Sequence, residues 1–114
     1  MAGKHDFICE QGATFAREIT WLDSSSVPVN NTGYVARMQV RATVSSASTL
    51  LSISTTTGEI VLGGADGKIT ITVPATTTAA IAAGCYVYDL EMVSGITVYR
   101  ILQGSFTVDA EVTR

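Results

Sequence analysis

The chain has 114 residues, of which 46% are hydrophobic and only 15% are charged, and its formal net charge at pH 7 is −3. That length fits a single domain, residues 1–114, whose hydrophobic core needs no metal or disulfide to hold it together. The acidic balance argues against a partner of nucleic acid, and no apolar run reaches the length of a membrane-spanning helix. The first residues, MAGKHDFICEQG, lack the apolar segment of a signal peptide, so we expect synthesis in a cytosol.

Apolar and polar residues alternate along most of the chain, as they do in strands that bury one face. In chain order this pattern predicts strands in HDFICE, ATFAREITWLD, YVARMQVRATV, TLLSISTT, EIVLG, KITITVP, CYVYDLEMVS and TVYRILQGSFTVDAEVT. Residues 24–33 form a polar loop, GADGK has the composition of a hairpin turn, and ATTTAAIAAG is the one helical candidate. The prediction is an all-β fold, an antiparallel Ig-like or jelly-roll-like β-sandwich of about eight strands with one short helical turn, preceded by an N-terminal arm at residues 1–6.

Two carboxylates, Asp89 and Glu91, lie on one face of the predicted strand CYVYDLEMVS, whose other face carries Tyr86, Tyr88, Leu90 and Met92. Residues at i and i+2 of a strand point the same way, so this pair does not flank a substrate bond as the two carboxylates of a glycosidase must. Arg37 and Arg41 stand on the polar face of the strand YVARMQVR. We therefore predict a structural charge ladder in which Arg37 or Arg41 meets Asp89 or Glu91 across paired strands.

The chain offers few metal-binding or catalytic side chains. His5 is the single histidine, and together with Cys9 and Cys85 it would supply three of the four ligands that a structural zinc site requires. Nothing in the sequence supplies the orienting group and oxyanion hole that a cysteine nucleophile needs. We predict no enzymatic activity and no cofactor or metal, and we expect both cysteines to be reduced thiols in or near the core.

Aromatic residues leave open an alternative function, that of a carbohydrate-binding module. Sandwiches that bind carbohydrate use an exposed row of coplanar rings, and five residues here are candidates for such a row: Trp21, Tyr34, Tyr86, Tyr88 and Tyr99. Packing in the core is the other reading of the same residues.

Several segments resemble small structural proteins of tailed bacteriophages and prophages: TGYVARMQVR, GEIVLGGADGKITITV, GCYVYDLEMVSG and VYRILQGSFTVDAEVTR. The resemblance lies in the order and spacing of these segments and covers about residues 12–114. A looser likeness extends to the N-terminal β-sandwich domain of upper-baseplate proteins. The sequence departs from the Asp-Leu-Thr-Gly of those phage proteins at residues 30–33, which read Asn-Asn-Thr-Gly and lack the apolar anchor of that loop.

The resemblance implies a virion component without catalysis, made in the cytoplasm of a bacterial host. A capsid decoration, or cement, protein would bind the major capsid protein, bridge capsid subunits and associate with further copies on the particle. The alternative is an adaptor in the tail, tail fibre or baseplate, with tail or portal proteins as partners.

We expect the partner contacts to come from the N-terminal arm and from the polar loop, since both are predicted to be exposed. The predicted contact residues are Met1, Lys4, His5, Asp6, Val27, Pro28, Asn30 and Asn31.

Overall fold

A computed structural model describes residues 3–112, and within them nearly all regular structure is β. The strands are β1 (Gly3–Lys4), β2 (Phe7–Glu10), β3 (Phe15–Thr20), β4 (Val35–Arg41), β5 (Leu51–Ser54), β6 (Ile60–Leu62), β7 (Lys68–Val73), β8 (Gly84–Ser94) and β9 (Thr97–Asp109), with one helix, α1 (Ala75–Ala79). The predicted strands are all present, most of them with shorter ends, and the predicted helical segment is a helix over its first half. This helix, five residues long, is too short to cross a membrane.

Two sheets face each other and form a β-sandwich, so the predicted all-β class is confirmed. The larger sheet has the order β1-β9-β8-β4-β5, with β2 also pairing along β9, and the smaller sheet has the order β3-β7-β6. Neighbouring strands run antiparallel except at one edge, where β1 and β2 run parallel to β9. Strands β8 and β9 form a long hairpin that turns at Gly95, whose φ of 59° favours glycine.

The core lies between the sheets and follows the alternation of the sequence. On β4, Ala36, Met38 and Val40 are fully buried, and on β8 the buried residues are Tyr88, Leu90 and Met92. The predicted core faces of both strands are therefore confirmed, with Tyr86 half-buried at the start of β8.

Aromatic rings fill one end of this core. Phe7 packs against Phe15 with ring centroids 5.5 Å apart and against Tyr88 at 5.0 Å, while Phe15 also contacts Phe106 at 5.4 Å. Edge-on and tilted ring pairs of this kind stabilise a core beyond the area that they bury. They tie β2, β3, β8 and β9 together across both sheets.

The N-terminal residues 3–6 lie along the sheet, so the prediction of an arm is wrong for this part of the chain. The His5 N–H donates to the Gln103 carbonyl at 3.0 Å, and the Tyr88 hydroxyl donates to the His5 carbonyl at 2.6 Å. The backbone passes so close to β9 that a Cβ on Gly104 would lie 2.2 Å from the His5 carbonyl oxygen. The alternation of apolar and polar residues does not predict this contact. The close approach of His5 is possible because Gly104, on a strand distant in the sequence, has no side chain. Met1 lies outside the described residues.

The polar loop before β4 is held by a buried amide, that of Asn31, which is 0% exposed. Its Nδ2 donates to the Lys68 carbonyl at 3.0 Å and its Oδ1 accepts from the Gly64 N–H at 2.7 Å. The prediction of Asn31 as a partner contact is therefore wrong, because its buried side chain forms hydrogen bonds to the β6–β7 hairpin. An alternating pattern cannot identify such a residue, since buried asparagines are uncommon and loop asparagines usually face solvent.

Candidate functional site

The outer face of the larger sheet carries the charged residues that were predicted to form a ladder. The register places Arg37 opposite Glu91 and Glu91 opposite Arg100. Arg37 Nε lies 2.8 Å from Glu91 Oε1, as predicted, and Arg100 Nε lies 3.4 Å from Asp89 Oδ2. Each carboxylate thus has its own arginine, which is the arrangement of a structural charge network.

Arg41 does not take part in that ladder. Its guanidinium donates to the Ser46 carbonyl at 2.9 Å and to Gln39 Oε1 at 3.0 Å, so it fastens the loop after β4. Position 41 pairs with Val87, two residues along β8 from the predicted partner Asp89. The predicted pairing of Arg41 with a carboxylate is therefore wrong, because the register brings Gln39 to that position.

The Asp89 carboxyl has a higher pKa than an exposed aspartate. Burial raises its pKa above the ordinary value of 3.8, the neighbouring Glu91 carboxylate raises it further, and the nearby arginines oppose the shift. Asp89 lines a groove of about 670 Å³ on this face, together with Lys4, Arg100 and Gln103. Asp89 is paired with Arg100 beside this groove, and the guanidinium groups of Arg37 and Arg41 also favour its charged form, so Asp89 belongs to the charge network of the sheet.

No metal site is formed among residues 3–112, where no group of three or more histidine, cysteine or acidic side chains comes together. The His5 ring packs edge-on against Phe7 at 4.7 Å. Both cysteines are free thiols, and Cys9 is buried in the core as predicted. The predicted position in or near the core is wrong for Cys85, which is exposed. Burial raises the pKa of the Cys9 thiol, which leaves it protonated and unreactive at neutral pH.

The candidate rings for carbohydrate binding do not form a flat platform. Tyr88 is buried, and Tyr86 donates its hydroxyl to the Ala82 carbonyl. Trp21, Tyr34 and Tyr99 cluster at one end of the sandwich with centroids 5.3–6.4 Å apart, and their planes are inclined to each other by 46–88°. Rings at these angles pack against one another and leave no common flat surface for a sugar.

An apolar row lies at the turn end of the β8–β9 hairpin, on the outer face of the larger sheet. Val35 pairs with Val93, and Val93 pairs with Val98, so three valines lie side by side across β4, β8 and β9. Val35 and Val98 are 43% and 47% exposed, and Ile96 in the turn is fully exposed. We call these four residues the hairpin-end patch. The charged row of Arg37, Glu91 and Arg100 borders it directly.

The sequence analysis missed this patch and placed the partner contacts elsewhere. Of the predicted contact residues, Lys4, His5, Asp6, Val27, Pro28 and Asn30 have exposed side chains. They fall into two separate segments, one lying along β9 and the other in the loop before β4. The sequence does show Val35, Val93 and Val98 at outward positions of their predicted strands. It does not show that they are neighbours, because that depends on the register of β4, β8 and β9.

Comparisons with known proteins add the following findings. No protein-family model matches the sequence, and no curated protein matches it. A solved structure from a photo-crosslinking study of the multimeric cell-adhesive interactions of VGSC beta subunits is similar over 96% of this chain and 93% of that chain, with 8% sequence identity and a TM-score of 0.47.

Proposed function

We propose that this protein is a non-enzymatic structural component of a tailed-phage virion that binds the assembled capsid and stabilises it by bridging capsid subunits. The resemblance of residues 12–114 to phage structural proteins supports the virion role. The observation that carries a binding role is the hairpin-end patch. The exposed apolar surface of Ile96, Val35 and Val98 adds nothing to the stability of the monomer, whereas a partner that covers this surface removes it from water.

The composition of the patch and its border suits a protein partner. Burying a fully exposed valine or isoleucine side chain contributes roughly 1.5–3 kcal/mol, so Ile96 contributes the most, and the half-exposed Val35 and Val98 each contribute about half of such a value. Arginines are enriched in protein interfaces, and Arg37 and Arg100 stand at the edge of the patch where their charges stay hydrated. The hairpin-end patch therefore replaces the N-terminal segment and the polar loop as the proposed contact surface.

Stabilisation would follow from mass action. A protein that binds the assembled shell and not the free subunits shifts the assembly equilibrium toward the shell. Many copies on one particle add their effects, so each single contact can be weak. Localisation on the virion, with the major capsid protein as partner, follows from the same proposal.

Cryo-electron microscopy of particles prepared with and without this protein tests the proposed location. We expect additional density repeated over the shell at the junctions between capsid subunits. Density confined to the tail, the baseplate or the portal vertex would contradict the capsid role and support the tail-adaptor alternative.

Binding of purified variants to particles that lack the protein tests the contact surface. We expect the double substitution Ile96→Ser and Val98→Ser to weaken co-sedimentation by about a hundredfold, since it removes roughly 3 kcal/mol of apolar burial. Val44→Ser is the matched control, because Val44 is 88% exposed in a loop away from the hairpin turn. Equal binding by both variants would show that the hairpin-end patch is not the contact surface.

A further inference from the structure

The groove of about 670 Å³ on the outer face of the larger sheet has the size of a small-molecule site, for which roughly 300–1,000 Å³ is typical. It is bounded on one side by the loop after β4, which carries Val44, and on the other by the N-terminal segment, which carries Lys4 and Asp6. Between these two sides lie residues of β8 and β9, among them Val87 and Ser105. Side chains from distant parts of the chain thus converge on one concave surface.

Four polar side chains cross this groove in one row. The strand register pairs Gln103 with Lys4 on one side and with Asp89 on the other, and Asp89 pairs in turn with Gln39. Residues that lie directly opposite each other on neighbouring strands point to the same face. An ammonium group, two amides and a carboxylate therefore lie side by side, and they offer both donors and acceptors of hydrogen bonds.

Hydrogen bonds hold both sides of the groove in place. The Arg41 guanidinium donates to the Ser46 carbonyl at 2.9 Å and to Gln39 Oε1 at 3.0 Å, which fixes the loop after β4. On the other side, Asp6 Oδ1 accepts from the Ser105 N–H at 2.9 Å, and this bond lowers the pKa of the Asp6 carboxyl. A site whose groups are already fixed loses less conformational freedom when a ligand binds.

The charges that line the groove are not balanced. Three of the seven basic residues of the chain line it, and they face the two carboxylates of Asp6 and Asp89. Asp89 is paired with Arg100 at 3.4 Å. Within residues 3–112, no carboxylate lies within 4.0 Å of the Lys4 ammonium or the Arg41 guanidinium. The groove therefore has two cations available to an anionic ligand.

The two carboxylates restrict which anions fit. A compact anion such as phosphate meets Asp6 and Asp89 as well as the cations, and like charges brought together in a binding site are costly. Hydroxyl groups, in contrast, donate hydrogen bonds to a carboxylate and exchange them with glutamine amides. The groove thus suits a molecule that combines one negative charge with several hydroxyl groups.

We propose that this groove binds an acidic sugar of the uronic-acid type. The carboxylate of the sugar is attracted by Lys4 and Arg41, and its hydroxyls form hydrogen bonds with Gln39, Asp89 and Gln103. No aromatic ring is available for stacking in the groove, because the ring of its one aromatic residue, Tyr88, is buried. Binding relies on charge and hydrogen bonds alone, so we expect a dissociation constant on the order of 1 mM. The site does not depend on the proposed virion role.

A titration followed by nuclear magnetic resonance tests the ligand. Sodium D-glucuronate is added to the ¹⁵N-labelled protein up to about 50 mM, which is well above the expected dissociation constant, and sodium chloride at matched ionic strength is the control. We expect saturating shifts of the amide signals of residues 87–89 and 103–105. Glucose lacks the carboxylate and acetate lacks the hydroxyls, so each should bind at least about tenfold more weakly. The absence of saturating shifts at the groove, or equal binding of glucose or acetate, would overturn the proposal.

A substitution at the edge of the groove tests the assigned charge. Lys4→Gln removes an exposed ammonium group, and we expect the dissociation constant for glucuronate to rise about tenfold, as for the loss of a charged hydrogen bond. Lys68→Gln is the matched control, because Lys68 lies on β7 of the smaller sheet, 3.6 Å from Glu18. Circular dichroism checks that both variants are folded. Unchanged affinity of Lys4→Gln, or an equal loss in Lys68→Gln, would contradict the site.

Discussion

Replacing Asn31 with alanine removes both side-chain hydrogen bonds that join the loop before β4 to the β6–β7 hairpin. The substitution leaves the Lys68 carbonyl and the Gly64 N–H without their partners at 3.0 Å and 2.7 Å. A buried backbone group that loses its partner costs roughly 1–3 kcal/mol. Relaxation of the loop offsets part of this, so we expect the free energy of unfolding to fall by about 2–4 kcal/mol.

Urea unfolding followed by tryptophan fluorescence measures this loss. The single tryptophan, Trp21, packs against Tyr34 with ring centroids 5.3 Å apart, and the Tyr34 N–H donates to the Asn31 carbonyl at 3.1 Å. The reporter therefore sits beside the perturbed loop. For a domain of this size, a loss of 2–4 kcal/mol lowers the melting temperature by roughly 8–16 °C.

Asn30 provides the matched control. Its Oδ1 accepts from the Thr32 N–H at 3.0 Å in an exposed turn, so water replaces the bond when Asn30→Ala removes it. We expect this variant to lose less than about 1 kcal/mol. Equal losses for the two alanine variants would refute the assignment of Asn31 as the buried anchor of the loop.

Three further predictions concern the N-terminal strand, the thiols and the carboxyl of the charge network. Gly104→Ala places a Cβ 2.2 Å from the His5 carbonyl oxygen, so amide hydrogen exchange over residues 3–6 should become faster; unchanged exchange would contradict the close approach. Ellman's reagent should modify Cys85 in the folded protein and Cys9 only after unfolding, because Cys9 is fully buried; two fast-reacting thiols would contradict this. Burial raises the pKa of Asp89 above 3.8, so the folded state holds this proton more tightly than the unfolded state. Its contribution to stability is greatest below pH 3.8 and declines as the pH rises through the folded pKa, and Asp89→Asn should remove that decline from the stability curve.

The alternation in the sequence was sufficient to predict the sandwich and the orientation of its central strands. On β4 and β8 the apolar positions have a strict period of two, and the structure buries Met38 and Leu90 while Arg37 and Glu91 face outward. Burial of one face fixes this orientation, since a slip of one residue would turn every apolar side chain to solvent. The partner of Glu91 was predictable for the same reason.

Strand β9 shows where that reasoning fails. Phe106 and Val108 face the core, and strict alternation would place Arg100 on the same side. The register of β9 against β8 shifts between Leu90 and Glu91, and this irregularity turns Arg100 to the outer face. A bulge of one residue exchanges the faces of all residues beyond it, and its position is set by packing between strands. The sequence of β9 alone therefore could not identify the partner of Asp89.

The surface proposed for capsid binding is subject to the same limit. In the sequence Val98 is an ordinary strand residue, because any half-buried strand has some apolar residues on its outer face. What distinguishes Val98 is that β8 and β4 place two more valines beside it. That property belongs to the pairing of β4 with β8, two strands that are far apart in the chain. A substitution at Val98 should consequently leave the stability of the folded monomer nearly unchanged and weaken association, whereas the same substitution at a buried core valine would strongly destabilise the fold.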